Sequence, residues 1–388
     1  MLGFAVALRA QGVDVRMCAP PDFAEHLARI DVPMVAAGKS VRDLVHGATA
    51  SGVKPSTPAD APRVAAELVA SQFETVAPAA QDCDALVATG LMPAGVRSIA
   101  ETLGIPYVCV AFMPGVLPSP HQTPLSRPGK PFPPDADNQT MWDVDAERVQ
   151  ALYGAPLNAH RASLGLPPVN NVRDHVHGDQ PWLACDPTLG PWPGSPDFDV
   201  VQTGAWILLD ERSLPPDLEA FLDAGPPPVY AGFSSVRAPE DAARVAVEAI
   251  RAQGRRVLLS RGWADLALID DRDDCFVVGE VNLQKLFGRV AAVVHHGGAG
   301  TTTTAARAGA PQVVVPQIAD QPYWAGRVAD LGIGVAHDGP NPTSESLSAA
   351  LETALAADVR ARVADMAGAI RTDGATVAAK LLIDLVSR

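Results

Sequence analysis

The chain has 388 residues, enough for two domains with full cores, and 47% of them are apolar against 19% charged, a globular rather than a disordered composition. A formal net charge of −14 argues against nucleic acid or an anionic membrane surface as the main partner. Cys18, Cys83, Cys109, Cys185 and Cys275 are odd in number, widely spaced and without a C-x-x-C pair, which favours reduced thiols in a cytoplasmic protein, and no apolar run reaches the length of a membrane span.

In chain order, Met1–Ala10 is apolar, lacks a basic leader and a signal cleavage pattern, and reads as a helix. Val13–Met17 predicts a strand, and Asp22 fits as the cap of a helix running to Ala28. Ala85–Thr89 predicts a buried strand, Val96–Leu103 a helix stopped by Gly104, and Tyr107–Phe112 another strand. Strands alternating with helices imply parallel pairing in an open α/β sheet. Prolines crowd 113–136, a long loop beyond the carboxyl end of a strand, where such sheets bind ligands. The stretch 209–228 holds Pro215-Pro216, Gly225 and Pro226-Pro227-Pro228 and reads as a linker. Alternation then restarts, with strands at 229–233, 256–260, 275–278, 290–294 and 312–316 and helix from Ser344 onward. The division expected is an N-terminal α/β domain over 1–208, a linker over 209–228 and a C-terminal α/β domain over 229–388.

The most informative stretch is His295-His296-Gly297-Gly298-Ala299-Gly300-Thr301-Thr302, between an apolar strand and a helical pattern. Backbone N–H groups at a helix N-terminus lack partners inside the helix, and the dipole there favours negative charge. Glycines let a phosphate approach the backbone, Thr301 offers a hydroxyl, and one histidine can hydrogen-bond the same anion. His296, nearer the turn, is the better candidate; strand-end packing is the plainer reading of either ring. The run predicts a diphosphate cradle. Past the next strand, Asp320 and Gln321 offer adjacent acceptors and donors that suit a polyol such as a sugar, although Asp320 also fits a helix cap before Pro322.

These residues, with Ala308-Gly309-Ala310-Pro311 and Ala319-Asp320-Gln321-Pro322, resemble the donor signature of nucleotide-sugar glycosyltransferases with two facing Rossmann-like α/β domains, the GT-B architecture. Arg16–Asp22, Gln202–Ile207 and Leu259–Asp265 are similar to the subgroup that acts on vancomycin-group glycopeptide antibiotics. The resemblance implies inverting transfer from a UDP- or TDP-sugar to a hydroxyl of a glycopeptide aglycone of vancomycin or teicoplanin type, without metal or cofactor. It places His296, Gly298, Gly300, Thr301 and Ser234 at the diphosphate, Asp320 and Gln321 at the sugar, and Val278 and Val281 at the base. Ser234 departs from the glycine usual in that loop. Relatives open with a buried strand and a turn ending in an acidic general base, whereas this chain starts inside the helix that follows. The catalytic base is therefore unassigned, and the alternative expectation is a nucleotide-sugar binder with little transfer.

Other readings are plainer. Asp270–Asp274 resembles a hard-cation site but is expected to be a solvated turn. Trp263 fits core packing as well as the donor side, Trp182 and Trp192 fit packing alone, and His121 reads as a surface residue. A nucleotide-sugar epimerase needs no large acceptor loop such as 113–136. A dinucleotide oxidoreductase needs a G-x-G-x-x-G after an early strand, which is absent.

Overall fold

Short apolar segments between amphipathic helices leave strands such as Val229–Gly232, Val257–Ser260 and Ala292–His295 buried on both faces, and among the described residues every strand pair is parallel. The computed structural model describes residues 1–41, 58–90, 92–125, 131–233, 241–262, 270 and 272–388. They form two units: Met1–Pro187 with Pro191–Leu208 and Thr372–Arg388, and Thr188–Gly190 with Leu209–Arg371.

The first unit carries α1 (Leu2–Arg9), β1 (Met17–Ala19), α2 (Ala24–Arg29), β2 (Met34–Ala36), α3 (Ala61–Ala79), β3 (Leu86–Ala88), α4 (Val96–Leu103), β4 (Tyr107–Ala111), α5 (Asn138–Ser163), α6 (Val172–His177), β5 (Trp182–Leu183) and β6 (Val201–Gln202). Its described strands pair as β1-β2 and as β3-β4-β5-β6. The first pairing begins at Met17, so the strand expected over Val13–Met17 lies mostly before it; Val13 and Val15 still pack against the core. Asp22 does not cap its own helix: its carboxylate accepts the Val41 N–H at 2.6 Å and the Ser40 hydroxyl at 2.8 Å. The described part of the proline-rich stretch before residue 126 is held by hydrogen bonds and burial. Leu117 and Ser119 are buried, and Gln122 Nε2 donates to the carbonyls of Pro114 and Leu117. Trp142 Nε1 donates to the Gln122 carbonyl. His121 is exposed, and Trp182 lies in the core, edge-on to Phe4.

The second unit carries α7 (Pro216–Asp223), β7 (Val229–Gly232), α8 (Ala242–Ala252), β8 (Val257–Ser260), β9 (Cys275–Val278), α9 (Leu283–Leu286), β10 (Ala292–His295), α10 (Ala299–Arg307), β11 (Gln312–Val314), α11 (Gln321–Asp330), β12 (Gly334–Ala336), α12 (Ser344–Ala354) and α13 (Ala357–Ala367). Its sheet runs β9-β8-β7-β10-β11-β12, the doubly wound order with its switch point between β7 and β10. Asp270 and Asp274 are not simply solvated: Arg251 on α8 forks to both, at 2.6–2.9 Å.

Two of the expected boundaries are corrected. The stretch 209–228 is part of the second unit rather than a linker, because Leu214 and, on α7, Leu218 and Leu222 pack into the core beside Tyr230 and Leu258. The last helix, α14 (Gly374–Val386), belongs to the first unit, not to a domain ending at 388. Its Ala375, Ala378, Ala379 and Leu382 join Phe4, Leu8, Trp182 and Trp206 in one cluster. A side chain at Gly374 would stand 2.4 Å from the Gly204 carbonyl carbon, so the helix start sits directly on that turn.

Candidate functional site

The sequence motifs of the second unit converge at the carboxyl edge of its sheet. His295 ends β10, paired with Gly232 of β7 on one side and Val314 of β11 on the other. The chain then turns through Gly297, whose φ of 92° is left-handed, into α10. A Cβ at Gly297 would lie 2.6 Å from Val314 Cγ1 and 3.1 Å from the Gln321 carbonyl, so only glycine fits. The same contact shows that the glycine turn and the Asp320-Gln321 segment touch.

Gly298 is the N-cap of α10 and supplies no capping side chain. The first-turn N–H groups have no carbonyl behind them in the helix. Four threonines follow. Thr302, Thr303 and Thr304 return their hydroxyls to the carbonyls of Gly298, Ala299 and Gly300, at 3.0, 2.8 and 2.8 Å. The Thr301 hydroxyl makes no such bond among the described residues. A Cβ at Gly300 would meet only open space.

The two histidines differ in their hydrogen bonding. His296 is buried, and its Nε2 lies 2.7 Å from where a Cβ on Gly298 would stand. Its Nδ1 is buried with no hydrogen-bond partner among the described residues, an expensive state for a polar atom. Burial pushes the imidazole down to about 4, so it is neutral near pH 7. The charge in any bond from His296 to a phosphate is therefore the phosphate's. His295 is fully buried and bonded on both nitrogens, to the Gly297 N–H and to Gln312.

Asp320 stands at the N-cap position of α11 but makes no capping bond. Its Oδ2 accepts the Trp324 indole N–H at 2.8 Å, and burial raises its carboxyl above the usual range. Ala319 just before it has φ 56°, a left-handed conformation costly for alanine, so surrounding contacts hold this turn. Gln321 supplies them: its Oε1 accepts the backbone N–H groups of Gln317 and Ile318, at 2.7 and 3.0 Å. Only its Nε2 is left to meet a ligand.

The base-side expectation needs correction. The Val278 side chain is 3% exposed and sits in the core with Tyr230 and Phe287, so it does not line an open pocket. Val281 is half-buried against that cluster. Ser234 and Trp263 lie outside the described residues. Sequence reasoning missed the links of His295 to Gln312 and of Asp320 to Trp324; a lone glutamine opening the apolar run of β11 was the one visible signal. Among the described residues no group of three or more His, Cys, Asp or Glu is placed to hold a metal ion, and no helix is long and apolar enough to cross a membrane.

Two Rossmann-like units, the second with an anion-ready turn at its switch point, define the GT-B class of glycosyltransferases. Solved structures show the same fold: the glycotransferase of kitacinnamycin at TM-score 0.73 and 19% identity, covering 99% of this chain and 94% of that one. The glycosyltransferase VinC in complex with DTDP has TM-score 0.67 and 20% identity, covering 100% and 96%. Residues 265–377 match the family described as erythromycin biosynthesis protein CIII-like, C-terminal domain. Glycosyltransferase GtfE of Amycolatopsis orientalis is 57% identical over 100% of this chain and 94% of that protein. Vancomycin aglycone glucosyltransferase and dTDP-epi-vancosaminyltransferase of the same organism are 56% and 52% identical, over all of this chain and 94% of each relative. The chain belongs to the vancomycin-group family of glycosyltransferases.

Proposed function

We propose that the chain moves a sugar, with inversion, from a UDP- or TDP-sugar to a hydroxyl of a vancomycin- or teicoplanin-type glycopeptide aglycone, in the cytoplasm and without metal. The observation that carries the donor half is a buried His296, with Nδ1 partnerless among the described residues and Nε2 against Gly298, directly before the helix start that bears the Thr301 hydroxyl and the first-turn N–H groups. In the reaction the acceptor hydroxyl oxygen bonds to the anomeric carbon as the bond from that carbon to the diphosphate breaks, and the hydroxyl proton passes to water, the catalytic base being unassigned. The electron pair leaves with the diphosphate, and the helix terminus and His296 stabilise the charge that builds there. Asp320, with Oδ2 held by Trp324, and Gln321 through Nε2 take the sugar hydroxyls. The acceptor half rests on the named relatives, and the compartment on the five free cysteines.

The test incubates the protein with a glycopeptide aglycone and a panel of UDP- and TDP-sugars and reads product mass, with and without EDTA. A mass gain of one sugar that EDTA leaves unchanged is expected. Loss of transfer in EDTA, restored by magnesium, overturns the metal-free reading. Tight nucleotide binding without product overturns transfer and leaves a nucleotide-sugar binder.

A further inference from the structure

A diphosphate-binding turn works only if its N–H groups point at the ligand before the ligand arrives, since a flexible turn loses binding energy to ordering. Three turn residues, Gly297, Gly298 and Ala299, separate the His296 imidazole from the second residue of α10, and the left-handed Gly297 sets their direction. What holds Gly297 comes from inside the sheet. His295 Nδ1 accepts the Gly297 N–H at 3.1 Å. His295 Nε2 meets Gln312 Oε1 at 2.9 Å, across the β10–β11 pairing. A neutral imidazole satisfies both contacts only with its proton on Nε2, donated to Gln312. Burial pushes His295 down to about 3, which keeps it neutral. Gln312 is itself completely buried, and its Nε2 has no partner among the described residues, so the amide is held with its oxygen toward the histidine at a cost.

We propose that His295, oriented by Gln312, is a positioning residue that holds the Gly297 N–H and so aims the α10 N-terminus and His296 at the donor diphosphate. This rests on the donor-site reading given above. His295 touches no ligand. It acts on the part of the donor that carries the phosphates, leaving nucleoside recognition alone, and its action requires the Nδ1 acceptor.

Two substitutions separate that role from core packing. In His295→Asn the amide oxygen stands near the place of Nδ1 and can still accept the Gly297 N–H. In His295→Gln the amide reaches toward the place of Nε2 and Gln312, and the turn loses its acceptor. The experiment measures binding of UDP and TDP, and of uridine and thymidine, by calorimetry on the full chain, with a thermal melt of each variant. Wild type binds at least one nucleoside diphosphate more tightly than its nucleoside. His295→Gln weakens diphosphate binding about tenfold, the loss of one backbone hydrogen bond to a buried group, and leaves nucleoside binding within about twofold. His295→Asn stays within about threefold of wild type for both. Gln312→Leu shifts diphosphate affinity in the same direction as His295→Gln. Equal losses for nucleoside and nucleoside diphosphate in His295→Gln mean packing alone and overturn the proposal. So does a His295→Gln protein with wild-type diphosphate affinity, or one that binds better than His295→Asn. Wild type that binds no nucleoside diphosphate sinks the donor-site reading itself, a result distinct from any ordering of the variants.

Discussion

An imidazole buried to 6% exposure, with one nitrogen lacking a partner, is a costly thing to build beside a helix N-terminus. The cost makes sense if an anion completes the set. A hydrogen bond from His296 to a phosphate oxygen is worth about 1.5–3 kcal/mol because one partner is charged. His296→Ala should therefore lower kcat/KM roughly 10- to 150-fold, measured with the best donor of the panel. A change under about twofold removes His296 from the site. The sequence already showed which residue types gather here. It favoured His296 by its nearness to the turn, but it did not show that both nitrogens of His295 are already bonded, because one of those bonds depends on Gln312, 17 residues away on the neighbouring strand. Nor did it show that the Gln321 oxygen is spent on its own loop, since Gln317 and Ile318 reach it only through the turn at Ala319.

At the scale of elements, short apolar runs and glycine stops located most strands and helices to within a few residues, because burial on both faces leaves a continuous hydrophobic string. Ownership of elements was harder to read. α14 follows the second unit in the chain yet packs in the first, where its alanines lie against the aromatic cluster of Phe4, Trp182 and Trp206. The contact with no slack is Gly374 on Gly204. Gly374→Ala puts a methyl 2.4 Å from backbone that cannot step aside, and overpacking of this kind costs about 1–3 kcal/mol. The melting temperature of the first unit should fall by roughly 2–12 °C, read by calorimetry. Gly368→Ala, where a Cβ meets nothing within 4 Å, is the control and should leave the melt unchanged. A Gly374→Ala protein as stable as wild type would show that α14 is held some other way.

At the scale of the whole molecule, His295, His296 and His175 govern the first response to acid. His295 is pushed down to about 3 and His296 and His175 to about 4, each chiefly by burial. Each holds its proton less tightly folded than unfolded, where the ordinary value is about 6.5. The unfolded chain thus gains protons first as pH falls. The stability that comes from keeping these rings neutral is complete above about pH 6.5 and drains away between there and about 3. Carboxylates such as Asp270, held down to about 2 by Arg251, add their loss only at lower pH. Thermal melts should show a plateau above about pH 7 and a fall beginning near 6.5, smaller in His175→Asn. A melting temperature constant down to pH 4.5 would contradict this account.

The amino-acid order alone determined the class of this protein. A doubly wound α/β unit follows from buried strands alternating with helices, and a phosphate-ready turn follows from a strand, glycines and a helix start placed in succession. Such signals are local, written in periods of two and 3.6 residues and in backbone angles that few residue types can adopt. Only tertiary structure decided which atoms remain available to a ligand, which unit keeps the last helix, and that Val278 belongs to the core. Those outcomes depend on partners distant in sequence, where burial and competition for hydrogen bonds are settled only once the sheet has closed around them.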